Sequence, residues 1–387
     1  MNSKELLSDL AESGSYFLYD TDAILEHALR INTGTSKLFF ACKANPLGAI
    51  IQTLAKADIN FDVASEGELM QVLSLGITGS DIIMTGPAKS DALIRLGLEN
   101  EVSVFVIESR SQLELLKNLS KEYQYKPQIL LRLQLQWDED GENILGGKKI
   151  TPFGMDLKTA ADCLSDLSLP FLGFHIFQWG NILSIDKLRS IWEDTIKVCK
   201  TLYPNFHVLE VGGGLGIPYD LTEKKLPWNE VDKLITELKI TYKLPEFWLE
   251  MGRYMTGSYG QYITRVIDVK ETYGQKILVL EGGINHLARP ALVNQNFPAN
   301  LLRESEAELT KFALHGPLCT SLDFMGNHEL PNDVKAGDCI IFQQVGAYGF
   351  TESMPFFLCH KLPGEAVIKN GSMQIIRKPE PAKSWLK

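Results

Sequence analysis

Short apolar runs alternate with amphipathic segments over the first two thirds of the chain, and this rhythm predicts repeated βα units. The intervening segments, such as GELMQVLSLGI and RSQLELLKNLSKEY, carry apolar residues at helical spacing. The apolar runs are KLFFACKA (37–44), INFDVAS (59–65), DIIMTG (81–86), SVFVIES (103–109), ILLRLQL (129–135), FLGFHIF (171–177), HVLEVGGG (207–214) and FWLEMGR (247–253). Eight parallel strands close a barrel, so we predict an α/β fold with a TIM-like (β/α)8 barrel.

The rhythm changes from residue 262 onwards to strand-like runs without intervening helices. These runs, ITRVIDVKE, KILVLEGG, KFALHGPL, CIIFQQVGAY and MQIIRK, predict an antiparallel β domain. We therefore expect an N-terminal segment (1–31) that pairs with the β domain through YFLYD, a barrel (32–261) and a C-terminal β domain (262–387). The polar insert at 137–154 is compatible with an active-site lid or with a solvated loop.

Composition excludes several functions. The 387-residue chain has a formal net charge of −10 and no long basic run, which argues against nucleic-acid binding. No apolar stretch approaches the roughly 20 residues of a membrane helix, and the N-terminus is polar, so we expect no membrane role and a cytoplasmic protein. The cysteines show neither CxxC pairs nor metal-ligand spacing, which predicts reduced thiols and no metal site; they are Cys42, Cys163, Cys199, Cys319, Cys339 and Cys359.

Unusual residues lie at the C-terminal ends of the predicted barrel strands, where barrel enzymes place their chemistry. They are Lys43, Asp62, Arg132, His175, Gly212 to Gly214, and Glu250 to Arg253. A desolvated lysine has a lowered pKa and is a good nucleophile toward an aldehyde. Consecutive glycines let backbone N–H groups approach a phosphate, and a glutamate can hold a proton on a pyridine nitrogen. Lys43, the glycine run and Glu250 are therefore the parts of a pyridoxal phosphate site.

The motifs at these positions resemble those of the fold-type III pyridoxal-phosphate decarboxylases, typified by diaminopimelate and ornithine decarboxylases, with alanine racemase a more distant relative. The resemblance covers nearly the whole chain. FFACKANP is similar to the family's cofactor-lysine strand, FDVASEGEL to its second-strand motif, VGGGLG to its phosphate loop and EMGR to its usual E-P-G-R. GGINHLARPAL resembles a substrate-contacting segment, GPLCTSLD the motif whose cysteine enters the neighbouring subunit's active site, and GAYGF the phosphate-contacting tyrosine segment.

The resemblance implies a role for each matching residue. Lys43 would form the Schiff base with pyridoxal 5'-phosphate, and Glu250 would face the ring nitrogen. Cys319 would reprotonate the substrate after carbon dioxide leaves, acting across the interface of a homodimer with shared sites. The cofactor-binding residues would be Lys43, Asp62, Arg132, His175, Phe177, Gly213, Gly214, Glu250, Gly252, Arg253 and Tyr348, and the substrate-binding residues Arg253, Arg289 and Thr320.

Two motifs depart from the family pattern. Phe177 stands where the lysine and ornithine branch has a ring-stacking histidine, and Trp179 and Gly180 replace a Gly-Ser pair. Phe177 can still stack on a ring but cannot donate a hydrogen bond. In the cysteine motif, Thr320 stands where diaminopimelate decarboxylases have a glutamate that grips a distal ammonium group. A neutral hydroxyl cannot replace that ion pair.

The distal end of the substrate is predicted from the residues that remain. Arg253 and Arg289 match positions that in the family bind the non-reacting carboxylate, although Val293 stands where a tyrosine is usual. The pocket is therefore expected to accept a distal carboxylate or a bulky acyl group. This pattern resembles decarboxylases of specialised metabolism, which act on siderophore intermediates such as citryl-diaminopropionate or on carrier-bound glutamate. Diaminopimelate decarboxylase of lysine biosynthesis is the alternative.

Other classes fit the sequence less well. A racemase of this fold would place an arginine, not Glu250, at the ring nitrogen. A non-catalytic homologue of the antizyme-inhibitor kind would not need Lys43, the glycine loop, Glu250 and Cys319 together. A small cofactor-carrier barrel would lack the β domain predicted for residues 262–387.

Overall fold

The structure is a computed structural model that describes residues 3–136, 150–177, 179–220 and 222–386. The chain groups into two compact units. The barrel unit comprises Leu25–Ile217 and Lys225–Met255, and the β unit comprises Met1–Ile24, Pro218–Lys224 and Thr256–Lys387. Of the insert predicted as a lid or solvated loop, residues 137–149 lie outside the described residues, so both interpretations stay predictions.

Helix α1 (Ser3–Ala11), strand β1 (Tyr16–Asp20) and helix α2 (Thr21–Ile31) come first along the chain. Eight parallel strands then form a closed barrel, with β2 pairing with both β3 and β9. They are β2 (Lys37–Ala41), β3 (Asn60–Val63), β4 (Ile82–Met84), β5 (Val104–Ile107), β6 (Gln128–Arg132), β7 (Phe171–His175), β8 (Val208–Glu210) and β9 (Glu246–Met251). The predicted barrel is confirmed.

Helices follow the barrel strands, and several begin at a side-chain cap. Ser65, Ser90 and Ser109 each accept a hydrogen bond from the backbone N–H three residues later, which satisfies a donor that a helix start leaves free. The helices are α3 (Gly48–Ala55), α4 (Glu66–Ser74), α5 (Asp91–Glu99), α6 (Arg110–Glu122), α7 (Leu157–Leu164), α8 (Ile185–Leu202), α9 (Trp228–Tyr242) and α10 (Arg253–Thr256). Within the described ranges, no helix has both the length and the apolar character that a membrane span requires.

The regular strands are shorter than the apolar runs that predicted them. Strand β2 ends at Ala41, and the next three residues, Cys42–Ala44, form a single 3-10 turn that carries Lys43. Strand β8 ends at Glu210, so the glycines that follow lie in a loop. The residues singled out by the sequence therefore lie mostly at the ends of strands or just beyond them, at the mouth of the barrel.

The β unit contains a nine-stranded sheet in which β1 lies between β10 and β16. The remaining elements are β10 (Gly260–Thr272), β11 (Gln275–Leu280), α11 (Arg289–Val293), β12 (Ala299–Leu301), β13 (Leu309–His315), β14 (Phe324–Pro331), β15 (Cys339–Gln343), β16 (Gly364–Lys369) and β17 (Ser372–Arg377). The expectation of a wholly antiparallel domain without helices is wrong in two details. The β1–β16 and β11–β13 pairs are parallel, and α11 lies in the long connection that the β11–β13 crossover needs.

Candidate active site

Lys43 lies at the mouth of the barrel between two carboxylates. Its Nζ donates a hydrogen bond to Asp62 Oδ2 at 2.9 Å and lies 3.9 Å from Glu250 Oε2. The side chain is 36% exposed, so the expected desolvation of this lysine is wrong. Two carboxylates therefore surround an amine whose side chain is still partly exposed.

The two carboxylates beside Lys43 are both buried, but their pKa values shift in opposite directions. Burial and the negative charge of Glu250 raise the pKa of Asp62, against the opposing effect of Lys43. Burial alone would also raise the pKa of Glu250, yet the positive charges of His175 and Lys43 lower it to about 2. Glu250 is therefore held as an anion at the barrel mouth.

His175, fully buried at the end of β7, lies between two glutamates. Its Nε2–H donates to Glu250 Oε1 at 2.9 Å, and the same nitrogen lies 2.7 Å from Glu210 Oε2. Burial would lower the pKa of His175, but the two carboxylates raise it to about 9, so the ring is a cation at neutral pH. The other ring nitrogen, Nδ1, is buried without a hydrogen-bond partner among the described residues.

The glycine loop after β8 passes too close to its neighbours for larger residues. A Cβ atom on Gly213 would lie 2.0 Å from the carbonyl oxygen of Glu250, and one on Gly212 would lie 2.2 Å from the ring of Phe177. Gly212 and Gly214 also have φ values of 65° and 66°, which favour glycine. In the described part of the chain, the N–H groups of Gly213 and Gly214 donate to no acceptor, so they are available to an anion.

Arg132 belongs to a second charged cluster at the barrel mouth. Its Nη1 donates to Glu108 Oε1 at 3.2 Å, and its guanidinium lies 4.8 Å from the centre of the Phe153 ring. Lys89 Nζ lies 3.9 Å from the same Glu108 oxygen and donates to the carbonyl of Gly86. Burial lowers the pKa of Lys89 to about 8, although Glu108 opposes the shift. Arg132 is thus held by Glu108 rather than left as an isolated cation.

In the β unit, Arg289 at the start of α11 is paired with Glu352, which the sequence analysis did not single out. Its Nη1 donates to both carboxylate oxygens of Glu352, at 3.0 and 2.7 Å. The guanidinium carbon lies 5.0 Å from the centre of the Tyr348 ring. Arg289 Nε is buried and has no hydrogen-bond partner among the described residues. The guanidinium therefore carries a counter-ion, and its buried Nε–H donates to none of the described residues.

Cys319 is exposed in the turn after β13. The turn is shaped by Asp323, a buried residue whose Oδ2 accepts a hydrogen bond from the Leu318 N–H at 2.7 Å. Thr320 Oγ1 accepts from the Leu322 N–H at 3.2 Å. The loop that presents Cys319 and Thr320 is therefore fixed by hydrogen bonds within the β unit.

The structure brings together most of the predicted barrel residues. Lys43, Asp62, His175 and Glu250 form a continuous set of contacts, with Phe177 beside the glycine loop and 5.9 Å from Lys43 Nζ. Gly252 and Arg253 directly follow β9, and Arg253 is buried. In the β unit, Arg289 and Tyr348 contact each other, while Cys319 and Thr320 lie on a different loop.

Several buried side chains of the barrel mouth were missed. Glu210 ends β8, Glu108 directly follows β5, Thr85 directly follows β4 and Lys89 comes four residues later. The rule that barrel chemistry collects at strand ends could have found Glu210, because a charged residue interrupts the apolar run HVLEVGGG. No local pattern marks Glu352, whose contact with Arg289 joins residues 63 positions apart.

The site fits pyridoxal phosphate on three observations. Lys43 offers an accessible amine, and Glu250 offers an anionic carboxylate beside it. The glycine loop offers backbone N–H groups without protein acceptors in the described residues, in a space that a Cβ atom would fill. An aldehyde, a pyridine nitrogen and a phosphate are the groups that these three features bind.

Comparison with known proteins agrees with this chemistry. Residues 23–257 match the family described as "Pyridoxal-dependent decarboxylase, pyridoxal binding domain". The chain is 25% identical to L-glutamyl-[BtrI acyl-carrier protein] decarboxylase of Niallia circulans, over 94% of this chain and 90% of that protein. It is 26% identical to diaminopimelate decarboxylase of Aquifex aeolicus, over 94% and 89% of the two chains.

A relative from Staphylococcus aureus, 2-[(L-alanin-3-ylcarbamoyl)methyl]-2-hydroxybutanedioate decarboxylase, is 25% identical over 90% of this chain and 92% of that protein. Among solved structures, diaminopimelate decarboxylase from Helicobacter pylori complexed with L-lysine aligns with a TM-score of 0.87 and 23% identity, covering 99% of this chain and 98% of that chain. The latter likeness concerns the fold, in agreement with the barrel and the mixed sheet described above.

Proposed function

Because the chain belongs to the pyridoxal-dependent decarboxylase family, we propose that it removes the α-carboxylate of an amino acid whose distal end carries a carboxylate or a bulky acyl group. We assign this reaction to siderophore or other specialised-metabolite biosynthesis, which relatives from two organisms support. The observation that carries the decarboxylase proposal is the amine of Lys43 beside the anionic Glu250.

Each barrel residue would hold one part of the cofactor. Lys43 would bind it covalently through Nζ, Glu250 would contact the ring nitrogen and Phe177 would cover one ring face. When bound, pyridoxal phosphate supplies an electron sink for the electron pair that departing carbon dioxide leaves behind. The phosphate would be held by Gly213, Gly214, Gly252, Arg253 and Tyr348, and the remaining predicted contacts are Asp62, Arg132 and His175.

The proton that replaces the carboxylate would come from Cys319 Sγ of a second copy of the chain. This requires a homodimer, and the β unit has a surface suited to a subunit interface: Met354, Phe356, Phe357 and Leu358 are large apolar residues that are all more than 40% exposed. All six cysteines are free, which suits the cytoplasm that we propose as the location.

The distal end of the substrate would meet Arg289 and Thr320. The Arg289 guanidinium would donate to a carboxylate or acyl oxygen through the N–H groups that Glu352 does not occupy. The hydroxyl of Thr320 adds no charge to the site. Together these two residues suit an oxygen-rich distal group.

One observation favours the alternative, diaminopimelate decarboxylation. Glu352 lies beside Arg289 and is partly exposed, so the pair offers an acceptor for an ammonium group as well as a donor for a carboxylate. Glu352 could thus replace the glutamate that is missing at Thr320.

The experiment that separates these candidates is mass spectrometry of carbon dioxide loss from a substrate panel. The panel contains citryl-diaminopropionate, carrier-bound glutamate, meso-diaminopimelate, lysine and ornithine. Turnover of either of the first two is expected. Preferential turnover of meso-diaminopimelate would establish the alternative instead.

A further inference from the structure

Glu210 is a fully buried glutamate that the mechanism above does not use. Its two carboxylate oxygens reach different parts of the proposed site. Oε1 accepts the N–H of Gly212 at 2.7 Å, and Oε2 lies 2.7 Å from His175 Nε2. One side chain therefore contacts both the glycine loop and the histidine that binds Glu250.

The direction of the hydrogen bonds explains what Glu210 contributes. The Nε2 atom of His175 carries one N–H, which is directed to Glu250 Oε1 at 2.9 Å. Glu210 Oε2 receives no directed hydrogen bond but lies close to the ring, and burial together with the charge of Glu250 raises the pKa of Glu210 to about 7, against the opposing effect of His175. A protonated ring satisfies this arrangement, because a cation attracts both carboxylates while its Nε2–H stays on Glu250.

Because His175 holds Glu250 at Oε1, the other carboxylate oxygen of Glu250, Oε2, faces Lys43 and lies 3.9 Å from its Nζ. The backbone connects the same parts, since the Glu250 N–H donates to the Gly212 carbonyl at 2.8 Å. Glu250, the proposed partner of the cofactor's ring nitrogen, is thus connected to the glycine loop by the main chain and by Glu210.

We propose that Glu210 is a positioning residue of this active site, which acts through His175 to orient the Glu250 carboxylate and through the Gly212 N–H to fix the glycine loop. The inference rests on the proposed function only in assigning Glu250 and the glycine loop to the cofactor. It adds a residue that does not touch the substrate.

The test is Glu210→Gln in the full-length enzyme loaded with pyridoxal phosphate. The glutamine oxygen can still accept the Gly212 N–H, so the amide group faces His175 Nε2. The amide places a donor beside the Nε2–H and removes one of the two carboxylates that raise the pKa of His175, so the ring should release its proton at a lower pH and bind Glu250 less firmly. We expect kcat to fall about 10- to 100-fold, as for supporting residues of other sites, with a smaller change in KM.

A readout independent of turnover is the protonation of His175, followed by nitrogen-15 NMR of the histidine rings with and without cofactor. In the wild-type protein His175 should stay protonated at neutral pH, and in Glu210→Gln it should lose its proton at a lower pH than in the wild type. The absorbance spectrum of the bound cofactor should shift as well. Neither readout needs a substrate, so a wrong substrate assignment would leave both unchanged.

Glu365→Gln is the matched control, because Glu365 is another buried glutamate with a cationic partner, Arg377 at 3.1 Å, in the β unit. It should leave His175 and kcat unchanged. If Glu210→Gln does not fold, Glu210→Asp keeps the charge but withdraws the carboxylate by one methylene, and it should lower kcat with the ring still protonated. A folded Glu210→Gln enzyme with wild-type kcat and a His175 that titrates as in the wild type would overturn the proposal, as would a Glu210→Asp enzyme with wild-type kcat.

Discussion

Glu352 neutralises Arg289, with both of its carboxylate oxygens within 3.0 Å of the same guanidinium nitrogen. An arginine that already has a counter-ion attracts a doubly negative group less strongly than a free arginine does. Because only 13% of the Arg289 side chain is exposed, water screens this pair less than it would a pair on the surface. Glu352 thus sets the charge that Arg289 presents.

The first prediction concerns Glu352→Gln. Removing the counter-ion should raise kcat/KM for citryl-diaminopropionate relative to carrier-bound glutamate about ten-fold, a change of about 1.4 kcal/mol. Steady-state kinetics on both substrates measures the ratio. Glu237→Gln is the control, since Glu237 pairs with Arg189 at 2.6 Å on the surface of the barrel unit. An unchanged ratio would mean that Glu352 does not contribute to the selection of the distal group.

Lys43→Ala tests the covalent attachment of the cofactor. The variant should lose the yellow absorbance of the lysine-bound cofactor and show no measurable turnover, because alanine has no amine. Borohydride reduction followed by peptide mass mapping should find the cofactor on Lys43 in the wild type and on no peptide of the variant. Lys117 lies on the outer helix α6 and pairs with Asp166. Lys117→Ala should therefore keep the absorbance of the lysine-bound cofactor and the turnover.

Cys319→Ala tests the proton donor. The variant should keep the cofactor absorbance but form product about 100-fold or more slowly, in the range for loss of a general acid. Cys359→Ala is a matched control, because Cys359 is also an exposed cysteine of the β unit. Equal product formation rates for wild type and Cys319→Ala would rule out Cys319 as the donor.

Gly213→Ala tests the glycine loop. The added Cβ would lie 2.0 Å from the Glu250 carbonyl oxygen, so either the loop or β9 must move. Cofactor affinity, measured by titrating the apoprotein, should fall at least about ten-fold, because phosphate contacts depend on close backbone approach. Gly67→Ala in α4 has open space around its new methyl group and should retain the affinity.

Protonation of the buried His286 should destabilise the folded protein in acid. Its ring bonds the Tyr262 hydroxyl and the Lys361 carbonyl, each at 2.8 Å, and burial lowers its pKa to about 4 from 6.5. Between these values the unfolded chain binds a proton that the folded chain does not, so stability is present above pH 6.5 and is lost as the pH falls toward 4.

His286→Gln removes this titration. The variant should have a lower free energy of unfolding than the wild type at neutral pH, because the two hydrogen bonds are disturbed. Between about pH 7 and about pH 5, however, its free energy of unfolding should fall by about 2 kcal/mol less than that of the wild type. Urea unfolding at both pH values gives the comparison. His207→Gln alters an exposed histidine beside Glu246 and should leave the acid loss as in the wild type. Equal acid losses in His286→Gln and the wild type would contradict the assignment.

Sequence was informative where a local pattern determines position. The period of the apolar runs predicted the eight strands, and parallel strands bring their ends to one mouth, so the sequence alone groups Lys43, Asp62, His175 and Glu250. The same reasoning could not show that Lys43 stays partly exposed, since exposure depends on side chains from several strands.

Contacts between residues far apart in the chain could not be predicted from the sequence. The contact of Arg289 with Glu352 and that of His175 with Glu210 depend on how loops and strands pack, and no spacing rule connects residues so far apart. The parallel β1–β16 pair was missed for the same reason, because the chain between the two strands has no fixed length or pattern that reveals their direction.

The position of β1 has a consequence for synthesis on the ribosome. Tyr16 of β1 pairs with Ile263 of β10 on one side and with Gly364 of β16 on the other. The ribosome therefore synthesises β1 about 250 residues before β10 and about 350 residues before β16. All eight barrel strands can emerge in that interval, since they end at Met251. A nascent chain with a completed barrel would thus still carry β1 unpaired, with backbone N–H and C=O groups that are open to pairing with another chain.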